Sequence, residues 1–214
     1  MNRLQLAQRL RQESGFSGTG PVTSAGATGQ TKELFDRIDE AWIDIQTMSH
    51  WDWMWERATI VLPAGQSVTA ATGVPASRYV IDSMKAAPNQ GRLAYSNWRQ
   101  FSDIFEDVGY GEGTPTVWSV RPDTAIVVNS IAPAGDVQLS VERYANPVPF
   151  TQDTDVPALP VQYHMAIVWL ALLRIAAFDE AGSRYATANR EYNLIMQRLA
   201  AEHGPSFEMG EPLA

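Results

Sequence analysis

The chain has 214 residues, 45% of them hydrophobic and 19% charged, which is enough apolar material for a sizeable core and argues against a disordered chain. Its net charge of −8 disfavours a Lys/Arg grip on nucleic-acid phosphates. With no cysteine, disulfides, thiolate metal sites and cysteine nucleophiles are excluded.

The first stretch, Met1 to Gly15, is charged and amphipathic and has no apolar h-region, so it does not read as a secretory signal. The spacing predicts a helix over residues 2–13, with Leu4, Leu6 and Leu10 as its apolar positions. Residues 15–29 are rich in Gly, Ser and Thr and read as a flexible loop or arm. A second helix is expected over 31–50, where Leu34, Ile38, Ala41, Trp42, Ile45 and Met48 form one stripe. Trp51, Trp53 and Trp55 follow at its exit.

From residue 57 to 147 the character changes. Short β-branched runs at 57–65, 67–73, 77–86, 114–120, 124–131 and 137–145 are separated by Gly, Pro or Asn, as strands are. Within this block, residues 95–107 carry helical spacing and predict one short helix packed on the sheet.

Helical periodicity then returns. Pro157 and Pro160 suit a helix start, the helix is expected to reach about Glu180, and Gly182 suits its C-terminal cap. Its most apolar run, Met165–Leu173, is followed by Arg174 and is too short to cross a bilayer. No membrane association and folding in a cytoplasm are expected. A final helix over 183–203 places Tyr185, Ala188, Tyr192, Ile195, Met196 and Leu199 on one face.

Amphipathic helices need partners for their stripes. The expected fold class is therefore α+β: an α-helical bundle (1–56 and 148–203) with an inserted antiparallel β-rich domain (57–147). A flexible N-terminal loop and a flexible C-terminal tail (204–214) complete it. The first helix either joins the bundle or is held by a neighbouring subunit.

Motifs for chemistry are weak. Gly26 to Lys32 has the look of a phosphate loop but lacks the Lys before the Thr and any preceding strand. His50, His164 and His203 form no zinc spacing, and structural or surface roles are expected, with His203 at a fraying helix end. Adjacent acid pairs such as Glu106/Asp107 point apart on a helix, and no G-x-S-x-G elbow exists. Neither catalytic residues nor a cofactor or metal are expected. Seven tryptophans are many for this length. Trp51, Trp53 and Trp55 are read first as a plug where bundle meets sheet. A subunit interface or a stacking platform for sugars or bases are the other readings.

Two segments carry a resemblance. Ala41 to Gln46 with Trp51 to Met54, and Leu159 to His164 with Ala166 to Trp169, are similar to stretches of tailed-bacteriophage head-to-tail connector (adaptor) proteins. Phe178 to Ala181 followed by Tyr185, Ala188, Glu191, Tyr192 and Met196 continues it, and the opening Leu6 to Gly15 helix also fits. The likeness is strongest over 31–56 and 157–199 and is least in the middle sheet.

The resemblance implies a structural virion protein, not an enzyme. It implies a ring of identical subunits, commonly twelve, beneath the portal protein, extending the DNA channel and offering a platform to a downstream tail or nozzle protein. DNA would pass without sequence-specific binding. The expected location is the head–tail junction of the virion, after assembly in the host cytoplasm. Phe207, Met209 and Leu213 are the expected portal-docking points in the tail. The alternatives are another tail component, such as a terminator or tube-associated protein, and a carbohydrate-binding module built on the β block.

Overall fold

A computed structural model describes residues 1–16, 20–86, 91–106, 110–132, 135–176 and 182–205. The chain divides into two compact units, Met1–Trp53 with Pro147–Ala214, and Met54–Asn146. The mixed α+β class expected from the sequence is what the structure has.

The first unit is helical. Helix α1 (Arg3–Ser14) opens on a capping box, in which the Asn2 side chain accepts from the Gln5 backbone and the Gln5 side chain accepts from the Asn2 backbone, each at 2.9 Å. Gly15 closes it at φ 69°, a left-handed cap that suits glycine. Leu6, Ala7 and Leu10 are fully buried. Helix α2 (Gly29–Met48) buries Leu34, Phe35, Ile38, Ala41, Trp42 and Ile45.

The remaining long helices are α4 (Met165–Ala176), entered through a 3₁₀ turn at Val161–Tyr163, and α5 (Gly182–His203). α4 is apolar nearly all round, so it must be surrounded, and it packs against α1, α2 and α5. Its one charge, Arg174, reaches Glu40 at 2.9 Å and also bonds Asp44, tying α4 to α2. Gln46, buried on α2, donates to the Val148 carbonyl at 3.1 Å and accepts from the Val148 N–H at 2.9 Å, while Trp42 stacks on Phe150. These contacts hold the returning chain against α2.

The second unit is built on sheets. Strands β1 (Trp55–Leu62) and β9 (Val137–Tyr144) pair antiparallel over their full length, from Trp55↔Tyr144 to Leu62↔Val137, and β3 (Lys85–Ala86) adds on the far side of β9. A second sheet has the order β2 (Val68–Ala71), β7 (Ala125–Val128), β6 (Val117–Val120) and β4 (Ala94–Tyr95). A parallel pair joins β5 (Gly111–Glu112) and β8 (Ser130–Ile131). Trp118 sits at the centre, fully buried, with the rings of Tyr79 and Tyr95 edge-on at 5.8 and 5.0 Å.

Several expectations need correction. The sheets are not purely antiparallel: β4 runs parallel to β6, and the connection between them contains α3 (Trp98–Phe101). A parallel pair needs such a crossover. The helix expected over 95–107 is shorter: Tyr95 belongs to β4, and α3 passes into a wider π turn at Ser102–Glu106. The run 77–86 is not a strand but two 3₁₀ turns, Ala76–Arg78 and Ile81–Ser83, followed by the two residues of β3. Gly182 is the first residue of α5, and the expected end of the preceding helix at Glu180 lies outside the described residues.

Candidate interaction sites

Trp51, Trp53 and Trp55 take three different places in the structure. Trp51 is buried at 2% exposure, and its indole N–H donates to the Ile45 carbonyl at 2.5 Å. That carbonyl is one of the last four of α2, which lack intrahelical partners, so Trp51 acts as a side-chain cap for the helix end. Asp52–Met54 then forms a single 3₁₀ turn, and the Trp53 ring stacks on Trp51 with centroids 4.9 Å apart and planes 11° from parallel. The 3₁₀ turn therefore separates Trp51 and Trp53 from the strand that begins at Trp55. Trp55 starts β1 in the other unit. It is 44% exposed, with the Arg57 guanidinium 5.9 Å from its ring.

The turn also brings together residues that the sequence did not link. Asp52 approaches Nδ1 of His203 at 2.8 Å, and the His203 ring stands edge-on to Trp53 and to Tyr163, both at 5.8 Å. The Tyr163 hydroxyl donates to Glu202 at 2.5 Å, and this carboxylate, ahead of burial, raises the phenol above its ordinary pKa. His203 was read as a fraying end; the structure corrects this, because the bond to Asp52 and two ring contacts fasten it.

At the other end of the helical unit, Arg3 binds Asp39 through two bonds of 2.8 and 2.6 Å, donates to Ser24 at 3.0 Å and reaches Asp153 at 3.4 Å. The Asp39 bond raises the guanidinium further above its ordinary value. Asp153 in turn accepts from the Ser24 backbone and the Thr23 hydroxyl, and its bonds to Ser24 hold its carboxyl below the usual range. The loop leading to α2 is thus stitched to α1 and to residues 153–155. The Arg3 and Leu4 backbone N–H groups also donate to the carbonyls of Asp155 and Asp153. Loop composition alone hid this, since the anchoring carboxylate lies some 130 residues away in sequence.

His164 is 2% exposed. One ring nitrogen, Nε2, donates to the Leu159 carbonyl at 2.9 Å, which can only accept, so Nδ1 is the acceptor facing the Met1 nitrogen at 2.6 Å. Burial lowers its pKa. The histidine is a satisfied internal group.

Among the described residues, no three His, Asp or Glu side chains are grouped to hold a metal ion. Nor, among them, is any helix long and apolar enough to cross a membrane. The expected docking residues Phe207, Met209 and Leu213 lie outside the described residues. The carboxylates of the two sites, Asp39, Asp52, Asp153 and Glu202, are committed to ties between elements of the helical unit. Their chemistry is that of a scaffold. A family model described as SU10 adaptor protein matches residues 1–208. No curated protein matches the chain.

Proposed function

The chain belongs to the SU10 adaptor protein family, a family of phage adaptors, and from that premise we propose that it is a stoichiometric head-to-tail connector. The observation that carries this is the extent of the family match, 208 of 214 residues, which spans both units. In this reading, copies of the chain close a ring of about twelve beneath the portal, through heterologous head-to-tail contacts that return on themselves. The ring extends the DNA exit channel and receives the next tail protein. The helical unit meets neighbours and portal, with Phe207, Met209 and Leu213 as portal-docking points, and the β unit faces the tail.

Trp51, Trp53 and Trp55 belong to the same proposal as contacts where helical and β segments meet or where subunits meet. The acidic balance, 24 acidic against 16 basic side chains, suits a channel through which DNA slides without sticking. No catalytic step is part of this function.

The direct genetic test is removal of the gene from its phage. The expected result is DNA-filled heads without tails, restored by supplying the protein in trans. Normal tailed, infectious particles from the deletion would overturn the proposal. Tails that assemble but end at the wrong length would move the protein to the tail itself.

A further inference from the structure

Helix α5 is long but thinly rooted. It has 22 residues, yet from Tyr185 to His203 only Ala188 and Leu199 are buried. Helix α4 buries seven of its twelve. Tyr185 and Leu194 on α5 are 45% and 44% exposed, and the principal packing of the helix is on α4. Ala188, Ile195 and Leu199 recur at seven- and four-residue spacing, so the covered stripe is narrow.

Two side-chain ties fasten the C-terminal end of α5. Glu202 is held by the Tyr163 hydroxyl at 2.5 Å and His203 by Asp52 at 2.8 Å. The His203 ring is flanked by Trp53 and Tyr163. These partners come from the turn after α2 and the turn before α4, the two places where the chain leaves and re-enters the helices. Midway, Tyr192 adds one contact, its hydroxyl lying 3.3 Å from the Met48 sulfur. Elements with few buried apolar side chains open at lower free energy than the core they rest on.

We propose that α5 is a latched cover: a helix held over the apolar α4 by the Asp52–His203 and Tyr163–Glu202 ties, which opens as a unit while α1, α2 and α4 stay packed. The latch keeps an apolar face of α4 from solvent in the free subunit and releases it when the ties are replaced by other contacts. The proposal rests on burial and ties within the helical unit and stands apart from the adaptor reading.

Hydrogen exchange of the full-length chain tests it, read peptide by peptide by mass spectrometry. Wild-type α5 amides are expected to exchange faster than those of α4. The double variant Asp52→Leu, Tyr163→Phe keeps side-chain size and the ring contacts while removing both ties, since neither new side chain can bond His203 or Glu202. It is expected to speed exchange over residues 190–203 by at least about tenfold, the loss expected for one hydrogen bond to a charged group, with peptides of α1 and α2 unchanged. Equal acceleration across all four helices would show general destabilisation and overturn the proposal. So would α5 amides as slow as those of α4, or a variant without effect.

Discussion

Replacing Arg3 with Met leaves an unbranched stem over the Phe35 ring, which the guanidinium now approaches at 5.0 Å, and removes every donor. Two charge-assisted bonds to Asp39 are lost, together with those to Ser24 and Asp153. Fully exposed ion pairs contribute about 0–1 kcal/mol, while breaking a buried one costs about 3–5 kcal/mol. Here the side chains are 12% and 29% exposed, between those limits, so Arg3→Met is expected to cost about 2 kcal/mol. With a urea slope of about 2 kcal/mol per molar, the unfolding midpoint falls by roughly 1 M at unchanged slope. A double-mutant cycle with Asp39→Asn isolates the pair and is expected to return a coupling of about 1.5 kcal/mol. Most of that coupling survives in about 0.5 M salt, because a half-buried pair is poorly screened. A coupling below about 0.5 kcal/mol, or one abolished by salt, would show that Arg3 is a solvent-exposed pair and that the N-terminal stitching is decorative.

Three further outcomes follow from single sites. The Ser119 hydroxyl is fully buried with no hydrogen-bond partner among the described residues, so Ser119→Ala is expected to be neutral or to stabilise by about 1 kcal/mol in urea unfolding; a marked loss of stability would reveal a partner. His164 is buried neutral with its pKa lowered, so the folded state binds a proton less readily than the unfolded one. Stability is then level above pH about 6.5 and declines as pH falls from there toward the lowered folded value; a flat profile in that window would contradict the buried neutral imidazole. Asp153 and Asp155 have lowered values, the first through Ser24 and the second through the backbone of Thr151 and Gln152. Their contribution is complete above the unfolded carboxylate range and is lost as pH falls through the folded values, so Asp153→Asn should flatten the acid limb of the same titration.

Periodic segments were legible in the sequence. In α2 the stripe Leu34, Ile38, Ala41, Trp42 and Ile45 is buried as its spacing required, and only Met48, at the helix end, is half exposed. The strand runs at 57–65 and 137–145 became β1 and β9, whose β-branched residues have a long antiparallel partner. Legibility failed where a partner distant in sequence decided the outcome. Val80 and Ile81 favour a strand locally, but Tyr79 makes a single bridge to Arg143 and the Val80 N–H bonds the Glu142 carbonyl, so the chain turns instead. Strands β4 and β5 are two residues each, with parallel partners, and leave no period to read. Trp51, Trp53 and Trp55 alternate in sequence as one face of a strand does, but the 3₁₀ turn at Asp52–Met54 keeps Trp51 and Trp53 out of the strand that begins at Trp55. Of the candidate site, the tryptophans were visible as composition. The link among Asp52, Tyr163, Glu202 and His203 was not, since only folding brings residues 52, 163 and 203 together.

Membership of an adaptor family makes the partner the decisive variable. The most direct measurement is the mass of the purified protein in solution by light scattering, alone and then mixed with the portal from the same genome. The account predicts a ring-sized assembly of this chain on the portal, lost when residues 204–214 are removed. A chain that ignores the portal at every ratio would contradict it.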